Sequence, residues 1–371
     1  MRNEVKIAAA SLLLAVMGCS PENADQGRSG ARVVPFDEVF PLHTTIVLQD
    51  PPGNPIGEPS SVVLWGDRLV VTDLLQADVK MFDHSGRHVA TIGQPGSGPG
   101  EFRAPIGAAV LGGNVLGVFD LMLNRLTYFT ADGRAQDQVS VPLHSISSFQ
   151  GIDSGHVLFT GTRQTSTAAA VRAHEREGAE SVHIVDTTGA VLRSFHVLPP
   201  PSRMYEANFS QVVAAPVGRT VASAFRGSNR IHAYDRVTGR EWDIELGASF
   251  YREPQWPKRE IPGGLNVLSE WANQQMWTTR IVALDSSTYA VGFTMPDARQ
   301  PKERVFRYEV ATASGQPLLA TSQTNRVLML VHDGCGVFLN RREDATTEIE
   351  FRDVVIDPKK RAAPESCAAQ A

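Results

Sequence analysis

With 371 residues, 42% of them hydrophobic and 20% charged, the chain is long enough for a large core and too apolar for a disordered polymer. A formal net charge of −5 and the lack of a basic stripe exclude nucleic acid as the expected partner. The cysteines, Cys19, Cys335 and Cys367, are too few to build a metal site by themselves.

At the N-terminus, Arg2 and Lys6 precede an apolar run from Ile7 to Met17 that ends in Gly18-Cys19. The run is too short for a membrane-spanning helix and suits the apolar region of a signal peptide. "LLLAVMGCSP" resembles a bacterial lipobox, with Val16 three residues before the cysteine and small Gly18 just before it. The resemblance implies cleavage after Gly18 and a diacylglyceryl group on the Cys19 thiol. Ser20, where an aspartate would favour inner-membrane retention, points to the outer membrane, with the protein facing the periplasm. The alternative is an ordinary secretory signal with an incidental cysteine. Each buried methylene of an acyl chain contributes about 0.8 kcal/mol, so lipid chains can hold a protein at a membrane without a spanning helix. No later segment approaches 18 consecutive apolar residues. The expected organisation is signal peptide 1–18, polar tether 19–33, folded body 34–356 and C-terminal tail 357–371. Cleavage removes Arg2, Glu4 and Lys6, which moves the formal charge to −6.

The body repeats itself. "SSVVLWGDRLVVTDLLQADVKMFDHSGRHVATIG", from Ser60, aligns with "IGAAVLGGNVLGVFDLMLNRLTYFTADGRAQDQV", from Ile106. Asp73 falls against Asp120, Phe82 against Phe129 and Gly86 against Gly133. Each copy reads as four short β-rich runs joined by turns carrying Gly or Asp. The turn glycine recurs as Gly189, Gly239 and Gly315, at gaps of 47, 56, 50 and 76 residues from Gly86 onward. That is a blade-like period with insertions.

"GQPGSGPGEF", Gly93 to Phe102, holds four glycines and two prolines between the first two copies. No helix follows it and no Lys-Ser/Thr pair closes it, so it does not read as a phosphate loop. It lies between a fourth strand and a first strand, where a compact crossing needs glycine and proline. With Asp120 and the triplet Asn124-Arg125-Leu126, this stretch resembles the NHL-type repeat of six-bladed β-propellers. The match covers about Pro59 to Val139; Asp73 and Asn229-Arg230-Ile231 match in part. The resemblance implies an all-β ring of four-stranded antiparallel blades. "TTIVLQ", Thr44 to Gln49, is then a fourth strand completing the last blade, whose other strands come from "NRVLMLVHD", "GCGVFLNRR" and "TTEIEFRDV". Such closure removes exposed sheet edges. Six blades result, or seven if the insertions are cut differently.

Strand direction alternates within a blade, so the links from strand two to three and from blade to blade share one face. The insertions Gly161–Ser181, Gly247–Met276 and Met295–Arg304 all fall there. The longest carries Phe250, Tyr251, Trp256 and Trp271, with Trp277 just beyond. Leu265, Leu268 and Trp271 recur at a spacing of three, which predicts a short amphipathic helix. These aromatics either form a binding surface or pin the insertion to the body; long loops without function are uncommon.

No H-E-x-x-H, G-x-S-x-G or S-x-x-K motif occurs, and no catalytic residue, metal ligand or cofactor is assigned. His84 and His88 sit at a turn and strand edge rather than on one helix face. His183, His232 and His332 fall inside strand runs and read as structural. Asp73 and Asp120 could ring a channel, but such residues more often accept backbone N–H bonds at strand corners. Cys335 and Cys367 are expected to pair in an oxidising compartment and to pin the tail to the closing blade. Two functions remain open: an envelope scaffold binding a protein or small molecule, or a metal-assisted hydrolase or lyase at a channel mouth.

Overall fold

The computed structural model describes residues 31–163, 178–198, 211–247, 249–257, 264–300, 303–356 and 367. Residues 1–30, and with them the signal peptide and Cys19, lie outside the described residues.

Six four-stranded antiparallel units follow one another in chain order. Blade one is β3 (Pro59–Trp65), β4 (Arg68–Asp73), β5 (Asp78–Phe82) and β6 (His88–Ile92). Blade two is β7 (Pro105–Leu111), β8 (Val115–Asp120), β9 (Arg125–Phe129) and β10 (Ala135–Ser140). Blade three is β11 (Leu143–Gly151), β12 (His156–Arg163), β13 (Ala179–Asp186) and β14 (Val191–Leu198). Blade four is β15 (Val212–Val217), β16 (Thr220–Phe225), β17 (Arg230–Asp235) and β18 (Glu241–Glu245). Blade five is β19 (Trp277–Ala283), β20 (Thr288–Pro296), β21 (Arg304–Thr312) and β22 (Pro317–Thr321). Blade six takes β23 (Val327–His332), β24 (Cys335–Arg341) and β25 (Thr347–Asp353), with β2 (Leu42–Val47) as its fourth strand. The first strands touch in sequence from β3 to β23, and β23 returns to β3, so the ring is closed and has six blades, not seven.

Burial explains the sequence pattern. A second strand is covered by a neighbouring blade on each side, so β4 reads as a nearly continuous apolar run and β5 is buried throughout. The outer strand β10 meets water and is mostly exposed. The core is built between blades: Phe119 of β8 meets Phe159 of β12 at 4.8 Å between centroids, and Phe149 of β11 meets Phe159 at 5.0 Å. Glycine is required at the turns from third to fourth strand where the backbone turns left-handed. Gly86 sits at φ +78°, and a Cβ there would approach the Val47 carbonyl oxygen to 2.1 Å.

Closure follows the expected route with the strand shifted two residues toward the N-terminus. β2 pairs antiparallel with β25, Thr45 opposite Glu350 and Ile46 opposite Ile349. The repeat gave no sign of a further element. Val33–Val34 form β1, parallel to β22, which gives blade five a fifth strand and places Val33 in a sheet rather than a tether. A short helix, α1 (Phe36–Val39), follows and buries Phe36 between Phe40 and Phe338. Buried Arg352 of β25 holds this segment, donating to Asp37 Oδ1 at 2.7 Å and to the Phe40 carbonyl at 2.6 Å. Cys335, at the start of β24, is disulfide-bonded to Cys367 with their Cα atoms 5.1 Å apart. The tail residues between 357 and 366 lie outside the described residues.

Candidate functional site

The Gly-rich stretch is held as a crossing by its own sequence. Glu101 accepts from the Gly98 amide at 2.7 Å and from Gln94 Nε2 at 2.9 Å, and Phe102 is fully buried beneath it. Arg125 donates to the carbonyls of Ser97, Gly98 and Glu101 at 3.1, 2.9 and 2.5 Å. Asn124 donates to the carbonyls of Val141 and Leu143, at 2.8 and 3.1 Å, and so ties blade two to the start of blade three. Asp120 accepts from the Arg103, Ala104 and Leu123 amides at 2.6, 2.9 and 2.8 Å.

Asp73 plays the same part in blade one, accepting from the amides of Gly57, Glu58 and Gln76 at 2.7, 2.9 and 3.1 Å and from Lys80 Nζ at 3.1 Å. Burial alone would raise its pKa; these donors outweigh it and hold the carboxyl below its usual value. Both aspartates therefore spend their oxygens on strand corners. Among the described residues, no group of three or more His, Cys, Asp or Glu side chains could hold a metal ion.

The histidines are structural in the same sense. His183 is buried, bonded to Ser194 Oγ at 2.8 Å and to the Gly161 carbonyl at 3.1 Å, and burial lowers its pKa to about 4. His232 stacks on His196 at 4.6 Å and contacts Asp243 and Glu241 at 2.9 and 2.7 Å.

Two features do not reduce to holding blades together. The first is a central channel of about 650 Å³, lined by residues of all six first strands. Small and aliphatic residues predominate among its lining, but most of the surface it exposes is polar, with serines from β3 and β11 and Thr279 and Arg280 from β19. The second is the face of the blade-to-blade crossings. The links 164–178, 246–276 and 297–303 emerge there, since β12 runs on to Arg163 and β20 to Pro296. Most of the first link lies outside the described residues. So does most of the link 199–211 between blades three and four.

The longest link contains the expected helix, α2 (Gly264–Asn273). Its aromatics divide into two groups. Phe250 is buried against Phe293 at 5.4 Å, under the Arg307 guanidinium at 4.2 Å; Tyr251 packs on the same ring at 5.3 Å. These two expected binding residues root the insertion, because burying ring area against β20 fixes the direction in which the link leaves the blade. Trp256 and Trp271 remain partly exposed. They lie 5.4 Å apart and each meets buried Trp277, at 6.0 and 5.9 Å. Trp271 Nε1 donates to the Gln255 carbonyl at 3.2 Å, and the Gln255 amide donates to Gln275 at 3.0 Å. Arg304 straps the end of the helix to blade five, donating to the Asn273 and Gln275 carbonyls at 2.7 and 2.8 Å. Burial, with nearby Arg226 adding repulsion, lowers the Arg304 pKa to about 10.

Sequence reasoning found the tryptophan-bearing link and missed Arg280. The available signal was one cation inside "WTTRIVAL", but nothing in the run says that it faces a channel.

The comparisons agree with this architecture. A family model, DUF5128, described as a 6-bladed beta-propeller, matches residues 29–188. No curated protein matches the chain. Among solved structures, a member of the DUF4221 family from Bacteroides vulgatus is similar with a TM-score of 0.62 at 10% identity, covering 85% of this chain and 97% of its own. A Bacteroides fragilis protein described as exported is similar with a TM-score of 0.56 at 13% identity, covering 88% and 98%. At such identities the likeness is one of fold alone. Blade count, ring closure and these similarities together make the chain an all-β, six-bladed β-propeller closed by its N-terminal strand.

Proposed function

We propose that this chain is a binding propeller of the bacterial cell envelope, lipid-anchored at Cys19 and facing the periplasm, which captures a protein or small-molecule partner on its crossing face. The observation that carries the reading is the one-sided placement of the long links, which carry the partly exposed Trp256 and Trp271. On the opposite face the links between strands are short turns. A core that already closes on itself does not need a 31-residue excursion between Glu245 and Trp277. Aromatic side chains held rigid by their neighbours lose little entropy on binding and dominate interface energetics. The lipobox-like N-terminus supports an envelope location, and so does the likeness to a protein described as exported.

The test places a photo-cross-linking residue at Gln255 or Val267 on the crossing face, and at Asp67 or Asp333 on the opposite face, in the full chain within a bacterial envelope. A specific cross-linked product from the first pair alone, lost when Trp256 and Trp271 are both changed to alanine, supports the reading. Equal products from both faces, or none from either, reject it.

A further inference from the structure

One charge in the channel has no partner. Arg280 lines the cavity from the middle of β19, and its guanidinium makes no hydrogen bond or ion pair among the described residues. The other deeply placed cations named above each have a hydrogen-bond or ion-pair partner. Lys80 meets Asp73 and Asp78, Arg352 meets Glu350 and Asp37, and Arg304 meets three carbonyls. Of the other charged groups on the channel wall, His332 ends β23 and Asp153 lies in the turn beyond β11, already taken by His156 and Arg236.

The surroundings keep this cation open to the cavity. Arg280 follows a bulge in β19 and pairs with Gly292. The residues in the same register after the bulges of β3, β7 and β11 are Ser61, Gly107 and Ser148, all small. Burial lowers the pKa of Arg280 against an opposing pull from the Tyr308 phenol, while the residue stays only partly buried. A partly buried charge with no protein partner gains from an arriving anion.

We propose that the channel binds a small molecule through its oxyanion group, a carboxylate or phosphate, gripped by the Arg280 guanidinium. The planar fork matches either group with two parallel N–H···O bonds. About 650 Å³ is the volume of a small-ligand pocket, and the mostly polar surface that the channel exposes suits a small, well-hydrated organic anion. This site is separate from the crossing face and does not depend on what binds there.

The experiment measures thermal unfolding of the purified mature domain in sodium phosphate and in sodium citrate, against sodium chloride at matched ionic strength. The wild type should gain about 2 °C or more with at least one oxyanion. Phosphate and citrate arms distinguish the two groups. Arg280→Met should lose that gain while unfolding in chloride at the same temperature as the wild type or higher, because a partly buried, unpaired charge has been removed. Arg280→Lys, which keeps the charge without the fork, should bind the active anion about tenfold more weakly. A wild type indifferent to both oxyanions overturns the proposal. So does an Arg280→Met protein that responds like the wild type, or one so destabilised in chloride that Arg280 must be holding the blades. If the methionine variant does not fold, an undiminished response in Arg280→Lys overturns it equally.

Discussion

The ammonium of Lys80 lies 2.6 Å from the carboxylate of Asp78, on the same strand of blade one, with both side chains almost fully buried. Asp73 completes the triad from the neighbouring strand at 3.1 Å, and Asn54 donates to the other oxygen of Asp78 at 2.6 Å. A lone lysine between two carboxylates in a blade interior is a structural keystone, since every charge there depends on the others. Lys80→Met should destabilise the protein by about 3–5 kcal/mol, because two carboxylates are left buried without their cation. Adding Asp78→Asn should recover part of that loss. Denaturant titration of both variants measures it; a cost below about 1 kcal/mol for Lys80→Met contradicts the keystone role.

Gly93→Ala tests the crossing. Its φ is +75°, and a Cβ would meet the Phe102 ring at 2.5 Å and the Gly100 carbonyl oxygen at 2.8 Å. Strain and displacement of a fully buried ring should together cost about 2 kcal/mol or more. A control at Gly66, where a Cβ meets nothing within 4 Å although φ is +60°, should cost less. Equal losses at both sites would mean that the Phe102 contact is unimportant.

Glu309 predicts a pH dependence. Burial raises its pKa to about 7, although the Gly247 amide, donating at 2.8 Å, pulls the other way. The folded state thus holds a proton that the unfolded state releases near the ordinary glutamate value. Stability from this group is fully present below about pH 4.5 and declines as pH rises through about 7. Glu309→Gln should flatten that decline, with a gain relative to wild type on the order of 3 kcal/mol at pH 9. Unfolding curves at pH 5 and pH 9 give the comparison. A variant as pH-sensitive as the wild type in this window refutes the assignment.

His183 acts in the opposite direction. Its folded pKa is lowered to about 4, so the stability it contributes is present above pH 6.5 and is lost as pH falls toward 4. His183→Gln, which can keep a hydrogen bond to Ser194, should lessen acid sensitivity between pH 6.5 and 4. Proton titration by NMR checks the group directly: an imidazole that titrates above pH 6 is incompatible with the buried, neutral ring.

The Cys335–Cys367 bridge spans 32 residues and should contribute about 3 to 4 kcal/mol by restricting the unfolded chain. The Cys335→Ser/Cys367→Ser double variant should lose that amount under non-reducing conditions and show little further change with reductant. If it matches the oxidised wild type in stability, the bridge does not staple the closing blade.

Lipidation at Cys19 has its own test. Cys19→Ala should accumulate uncleaved or leave the membrane fraction for the soluble one. Equal membrane partition of variant and wild type rules out the lipid anchor.

The sequence by itself determined the repeat and therefore the architecture. A four-strand unit with a fixed turn glycine can bury its apolar strands only by stacking on copies of itself, so Gly86, Gly133, Gly189, Gly239 and Gly315 announced the blades. The orphan strand near Thr44 announced the closure, because an unpaired edge must be covered. Local chemistry was equally legible: Asp120, Asn124 and Arg125 serve the crossing because their partners lie within the repeat itself or at its boundary. Long-range pairings were not. Phe250 and Tyr251 looked like Trp256 and Trp271 until the packing against Phe293 separated root from surface. β1 lies beside β22 only because the ring brings residues 33 and 320 together. Lys80 and Arg280 are alike in sequence, each a single cation in a β-rich run, yet one is enclosed by two carboxylates and the other lines the channel. Which neighbours a buried charge receives is set by how six separate strands converge, and that convergence is a property of the tertiary structure alone.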